Sequence, residues 1–153
     1  MNFTSEPTGD VKATGSVNGY DYVDLGLSVK WATCNVGASA PFELGNYFAW
    51  GETSTKSRFE DENYRFFISR GDPSKVEGNI KFSKYVCDNL SHGVMDNMRR
   101  LVLQDDAANA NWGGTWRMAT DKEWAELIKH CRWTWIEQSD KVGYEVVSKK
   151  KRE

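Results

Sequence analysis

The chain is short of the residues from which active centres are usually built. Its 153 residues include 2 histidines, 3 cysteines and 3 prolines. His92 falls in an Asn-Leu-Ser-His-Gly loop. His130 ends a helical pattern, where a cation suits the helix dipole. Cys131 directly follows His130, and neighbours in sequence do not face each other on a helix, which argues against a Cys–His dyad. Cys34, Cys87 and Cys131 are an odd number, so full pairing within one chain is impossible, and their spacing fits no zinc pattern. Two readings stay open: three buried thiols, which is favoured, or one disulfide and a free thiol in an exported protein. No run of 18 apolar residues occurs, so no transmembrane helix is expected. The first twenty residues lack the basic start and apolar centre of a signal peptide. The chain is therefore either cytoplasmic or written without its leader. With a net charge of −2 there is no basic excess of the kind that marks a nucleic-acid binder, and no such partner is expected. The one basic cluster, residues 149–152 within a 149–153 tail, reads as a solvated end. Internal repeats and low-complexity tracts are also missing.

Aromatic residues, by contrast, are plentiful: 7 Trp, 6 Tyr and 7 Phe, beside 13 Gly. That balance favours a turn-rich, mixed or β-dominated domain over a helical bundle. One domain is expected over 17–148, preceded by a flexible lead-in over 1–16. Tyr20, Tyr22, Leu25, Leu27 and Val29 suggest two short strands joined through Asp24 and Gly26. Residues 45–51 (GNYFAWG) read as a short aromatic strand. Residues 52–70 read as a long polar loop with a little strand, and 71–78 as a turn region. A short element is expected around Ile80, Phe82, Tyr85 and Val86. Apolar residues at 94, 95, 98, 101 and 102 suggest a helix over 94–103. A further short helix is expected over 105–112, capped by Asp105 or Asp106. Trp133 and Trp135 alternate with polar residues, and Tyr144, Val146 and Val147 follow Gly143. These form a final hairpin across a turn at 138–143.

The most informative stretch is WGGTWRMATDKEW at 112–124. Gly113 and Gly114 give backbone freedom that a Cβ would resist. Thr120 and Glu123 form a T-x-x-E capping box, in which each side chain satisfies the other's backbone N–H. Asp121 adds first-turn negative charge. Trp124, Leu127, Ile128 and Cys131 then mark one apolar face, which predicts a helix over 121–131. Met118 is placed for a staple-like contact with Trp124. Trp112, Gly113, Gly114, Trp116, Arg117, Thr120, Glu123 and Trp124 are read as structural residues.

Four stretches in order resemble one family: 22–38 (YVDLGLSVKWATCNVGA), 45–53 (GNYFAWGET), 105–127 (DDAANANWGGTWRMATDKEWAEL) and 131–135 (CRWTW). They are similar to the Fibrobacter succinogenes major paralogous domain, abundant in surface and lipid-anchored proteins of Bacteroides and its relatives. The resemblance spans roughly 17–148. It implies an α+β fold of the irregular C-type-lectin-like kind, with short antiparallel strands, long loops and two or three short helices. It also implies a place at the cell surface. The same fold class holds the formylglycine-generating enzymes, whose R-L-P-T-E-x-E-W segment is similar to RMATDKEW at 117–124. Ala119 stands where the family usually has proline, which leaves the helix entry less rigid. The matching sequence gives way to KKKRE near Ser148, where relatives continue into further strands. That points to a truncated or frame-altered copy with uncovered sheet edges.

No catalytic constellation is expected, and no cofactor or metal. Asp105, Asp106, Asn109 and Asn111 are oxygen-rich, but they lack the spaced loop and glycine of a calcium site, and capping accounts for them. The calcium signatures of true C-type lectins are not present. Glu43, Glu52, Asp61 and Glu62 could meet as a carboxylate pair, though solvated loops explain them as well. Most tryptophans are assigned to packing. The residues put forward for exposed ligand contact are Trp50, Phe59, Tyr64 and Phe66. The leading expectation is a non-enzymatic binding module with a glycan or protein ligand. An enzyme related to the formylglycine-generating group and a truncated, non-functional paralogue are the alternatives.

Overall fold

A computed structural model describes residues 2–4, 11–70, 80–87, 93, 95–138 and 141–149, the first three as backbone. The elements in order are β1 (Asn2–Thr4), β2 (Gly15–Val17), β3 (Tyr20–Val23), β4 (Trp31–Ala32), β5 (Phe67–Ser69), β6 (Lys81–Phe82), α1 (Ala107–Trp112), α2 (Asp121–His130), β7 (Cys131–Gln138) and β8 (Lys141–Ser148). Single 3-10 turns lie at Asp61–Asn63 and Leu103–Asp105. This is a mixture of small, mostly antiparallel sheets and two helices, an α+β chain. It divides into two compact units, Met1–Asn46 with Asn111–Glu153, and Tyr47–Ala110.

The first unit holds two three-stranded sheets, ordered β2-β3-β4 and β1-β8-β7. The β2–β3 hairpin turns on Asn18 and Gly19, both at positive φ (51° and 80°). Asn-Gly is the dipeptide that a two-residue hairpin loop favours, because both loop residues need left-handed backbone. The expected strand pair joined through Asp24 and Gly26 is therefore displaced. After β3 the Asp24 carboxylate accepts from the Gly26 N–H at 2.9 Å, and residues 24–30 form a loop before β4 returns to β3. Parts of the stretch read as a lead-in lie in strands. Residues 2–4 lie parallel to β8, and Gly15 and Ser16 already belong to β2.

Helix α2 follows its sequence in its cap and span, but Ile128, expected on the apolar face, is 60% exposed. The Thr120 hydroxyl accepts from Glu123 N at 3.3 Å and the Glu123 carboxylate accepts from Thr120 N at 2.7 Å, which completes the capping box. The helix ends at His130, one residue earlier than expected, because Cys131 turns into β7. Leu127 carries the helix's buried stripe into a core of Val23, Leu25, Trp31, Cys131 and Val146. Both sheets thus share one apolar centre, with α2 supplying its fully buried leucine. Trp124 meets Trp31 edge-on at 5.0 Å. The terminal hairpin has the expected strands, β7 and β8, in continuous register from Cys131↔Ser148 to Gln138↔Lys141. Its turn residues 139 and 140 lie outside the described residues. So do His92, the 71–78 turn and residues 150–153 of the basic tail.

The second unit has little regular structure. Among the described residues its sheet is β5-β6, and its buried apolar residues include Phe66 and Val86. Residues 45–51 form no strand: Gly45 and Gly51 take positive φ (68° and 75°), and a Cβ on Gly51 would lie 2.6 Å from the Phe66 ring. The helix expected over 94–103 is also overturned. Val94 is outside the described residues, and 95–102 is irregular. The Asp96 carboxylate accepts from the N–H groups of Tyr85, Val86 and Met98, at 2.7, 2.9 and 3.1 Å. Asp96 N and Asn97 N in turn donate to Val86 O. Side-chain capture of backbone groups competes with a helix in this way. The 105–112 helix does form, as α1 from 107, with the Asp106 carboxylate accepting from Ala108 N and Asn109 N at its start.

Candidate functional site

The four aromatic residues put forward for ligand contact all fall in the second unit, and the structure brings them together. The Tyr64 hydroxyl donates to Trp50 O at 2.9 Å, and the Tyr64 ring stands edge-on to Phe66 at 5.7 Å. The Lys56 ammonium lies 5.6 Å from the Phe59 ring centre and 5.9 Å from that of Tyr64. Their exposures differ sharply. Trp50 and Phe59 are 48% and 51% exposed, whereas Phe66 is only 6% exposed. Phe66 is therefore a core ring, seated against Tyr64 and Tyr85 beside Gly51, and its placement as an exposed contact is corrected. A polar sequence neighbourhood suggested exposure. The ring escapes that neighbourhood because β5 begins directly after it.

Beneath these rings lies a charge cluster that sequence reasoning assigned to a helix cap. Asp105 is buried and accepts from Arg65 Nη1 at 2.8 Å, Lys84 Nζ at 2.5 Å and the Tyr85 hydroxyl at 2.7 Å. Burial pushes its carboxyl upward, but the bonds from Lys84 and Tyr85 and the charges of Lys84 and Arg65 outweigh it, so the net shift is down. Tyr85 holds a positive φ of 62°, rare for a bulky residue. Its ring meets those of Trp50 and Phe66 edge-on, at 6.3 and 5.5 Å. Asp105 and Asp106 thus serve an ion cluster and a helix cap. Among the described residues, no group of three His, Cys, Asp or Glu side chains is placed to hold a metal ion. The other carboxylates once considered as a pair are also engaged. Glu43 accepts from Ser39 and Ala40, Glu52 from Lys56 and Arg65 N, and Asp61 and Glu62 face Arg70. All three cysteines are free thiols; Cys131 is buried, Cys34 and Cys87 only half-buried.

The structural motif at 112–124 does what its sequence suggests and also builds a cleft. Gly113 and Gly114 have φ of 68° and 58°. They let the chain turn against the β2–β3 loop, where Asn18 Nδ2 donates to Trp112 O at 3.0 Å. Trp116 Nε1 donates to Val17 O at 2.9 Å. Trp112 stacks on Tyr20 at 4.7 Å and meets Trp116 edge-on at 5.0 Å. Arg117 then clamps the capping carboxylate through both terminal nitrogens, Nη1 to Oε2 at 2.9 Å and Nη2 to Oε1 at 2.5 Å. Hydrogen bonding from Arg117, aided by Thr120, outweighs burial and draws Glu123 from 4.5 down to about 2.

Between this motif and the β3–β4 loop is a cleft of about 580 Å³. Trp31, Trp112, Trp116 and Trp124 contribute to its walls, and Asp24, Lys30 and the paired Arg117 and Glu123 contribute charge. The Lys30 ammonium donates to the Tyr22 hydroxyl at 3.1 Å and lies 4.4 Å over its ring. That hydrogen bond raises the Lys30 pKa, so it is a cation at neutral pH. Sequence reasoning assigned most tryptophans to packing; of these four, Trp31 and Trp112 are buried, Trp116 and Trp124 only partly. The cleft was hidden because its two walls come from 17–32 and 112–124, which no sequence pattern links. No protein-family model, no curated protein and no solved structure matches the chain.

Proposed function

We propose that this protein is a non-enzymatic binding module of a bacterial cell-surface protein, and that a glycan is its ligand. The reading includes the C-type-lectin-like fold and membership of the Fibrobacter major paralogous group that the motifs at 22–38 and 105–135 suggest. Fold analogy does not fix function, so the weight rests on one observation, the tryptophan-walled cleft of the first unit. Its volume lies within the range of small-ligand sites, and its makeup is that of such sites: aromatic walls with a few polar groups. Indole faces receive the C–H face of a sugar ring, while an acceptor (Asp24) and a donor (Lys30) serve its hydroxyls. The Glu123 charge is already matched by Arg117. The remaining pair, Asp24 and Lys30, cancels, which favours a neutral sugar over an acidic one.

The test is a glycan array followed by calorimetry on the hits. Lys30→Ala and Thr115→Trp, the second adding bulk to the cleft's lining, should each weaken binding at least about tenfold, a loss of about 1.4 kcal/mol. Both alter exposed positions, so both should fold. An array with no hit, or hits indifferent to both changes, sinks the reading. A protein ligand is the second reading, favoured by the exposed rings of Trp50 and Phe59. It predicts that Trp50→Ala and Phe59→Ala weaken capture of that protein while Thr115→Trp does not.

A further inference from the structure

Strand β7 is an outer strand, since its sheet runs β1-β8-β7. Among the described residues, its backbone is joined to no strand but β8. Such an edge carries a row of N–H and C=O groups ready to pair with another strand. Proteins commonly blunt such edges by shortness, proline, inward charge or a bulge. Of these β7 has only one, the charge of Glu137 on the face it shares with Trp133 and Trp135; otherwise it is 8 residues long, contains no proline and keeps an unbroken register with β8. One face of the hairpin is also uncovered and apolar at its outer end. Trp135 is 54% exposed, its opposite neighbour Tyr144 44% and Val142 54%. Trp135 and Tyr144 meet edge-on at 5.0 Å.

We infer that β7 pairs antiparallel with β7 of a second copy of this chain, centred on Trp135. A two-fold axis through an antiparallel strand pair stands perpendicular to the sheet and keeps like faces together. Side chains directly opposite each other share a face, so only positions of the same parity can meet across the axis. Two registers fit the middle of β7. Centring on Thr134 sets Glu137 against Cys131, which is buried at the end of the strand where α2 enters. Centring on Trp135 avoids that. It sets Trp135 against itself, Thr134 against Ile136, and Trp133 against Glu137. No like charges then meet, and the net charge of −2 per copy opposes association only weakly. The exposed aromatic pair of each copy becomes a row of four rings, Tyr144, Trp135, Trp135 and Tyr144. The strand edge asks for a strand, and a second copy in this register supplies it while setting the exposed rings of both copies edge to edge on one face. A contact of one strand pair and one row of rings falls at the small end of interfaces, below about 1,200 Å², so the dimer is weak and concentration-dependent.

The test is sedimentation of the full chain from roughly 10 µM to 1 mM, the range in which small interfaces associate, with hydrogen exchange at the same concentrations. A dimer should grow in with concentration, and amides in 132–138 should exchange more slowly as it does. Trp135→Lys sets two like charges on the axis, and should raise the dimer dissociation constant at least about tenfold, or 1.4 kcal/mol. Its circular dichroism at low concentration should match the parent's. In a second variant, W135C, oxidation should give a covalent dimer on a non-reducing gel beyond whatever the parent's three cysteines give, while I136C should not. A monomer at every concentration with unchanged exchange overturns the inference. So does a dimer that tolerates Trp135→Lys and fails to cross-link through W135C. Protection of 132–138 that appears only when a strand-forming peptide of another protein is added also overturns it, since the occupant is then not a second copy.

Discussion

Replacing Glu123 by Gln tests the capping motif as a piece of electrostatics. Glutamine keeps an oxygen able to accept from Thr120 N, so the capping box survives in outline. What it loses is the charge that Arg117 grips through two hydrogen bonds. The carboxyl falls from 4.5 to about 2 in the folded chain, which at face value corresponds to ~3 kcal/mol of folded-state preference for the charged form. Arg117 is 40% exposed, so solvent screening reduces the usable part to ~1–1.5 kcal/mol. The sign follows from the direction of the shift. A carboxyl with a depressed folded value adds stability that is complete above its unfolded value near 4.5 and lost as pH falls through about 2. At pH 7 the variant should therefore unfold at a Tm lower by about 2–6 °C, taking the sensitivity usual for a chain of this size. By pH 2 the gap should close to about a third of that or less, because the parent is then half protonated and no longer favoured. Thermal unfolding followed by near-ultraviolet circular dichroism, which reports the tryptophans around α2, reads this directly. A gap that is equal at both pH values would refute the argument, since the loss would then be one of shape and not of charge. High salt at pH 7 should also narrow the gap.

Other outcomes follow from equally local geometry. Gly113→Ala and Gly114→Ala place a Cβ at 3.0 and 2.9 Å from Asn18 Nδ2 on left-handed backbone, and each should cost about 1–2 kcal/mol. Gly19→Ala meets nothing within 4 Å, so chemical denaturation should find it the mildest of the three. Asp105→Asn removes the buried charge facing Arg65 and Lys84. Those partners are partly exposed, so the loss should be about 2 kcal/mol and not the full cost of breaking a buried pair; urea unfolding of the variant beside the parent, followed by circular dichroism, measures it. Burial raises the Cys131 thiol above its ordinary value, so a thiol reagent at pH 8 should label Cys34 and Cys87 readily and Cys131 only on unfolding. Rapid labelling of Cys131 in the folded chain would contradict the core as described.

Several features were legible because they are settled within a few residues. Thr120 and Glu123 are three apart, Asp106 caps residues two and three ahead, and the alternation in 131–138 needs only its partner across a tight turn. The features that were misjudged depend on partners the sequence does not mark. Asp105 read as a cap, but its partners Arg65, Lys84 and Tyr85 lie 40, 21 and 20 residues away. Phe66 read as exposed because its neighbours are polar, yet Tyr85 and Gly51 seat it in the core. The apolar spacing over 94–103 did suit a helix, but Asp96 gives three backbone N–H groups another acceptor. One local signal was simply overlooked: Asn18-Gly19 announces its own hairpin. The cleft could not be read at all, since it exists only when two segments some ninety residues apart are brought together.

That long reach has a consequence for how the chain is made. Trp116 holds Val17 across 99 residues, Asn18 holds Trp112 across 94, and Ser148 holds Leu25 across 123. The stretch Tyr47–Ala110, by contrast, is continuous and draws its internal bonds from nearer neighbours. Loop closure over long separations is slow, and contacts of high sequence distance form late. During synthesis the inserted stretch can close as soon as it leaves the ribosome, while the β2–β3 hairpin made before it must wait for residues 112–148. The β2–β3 hairpin is thus made well before it can be finished, and its strands wait unpaired on that side while the intervening residues are added.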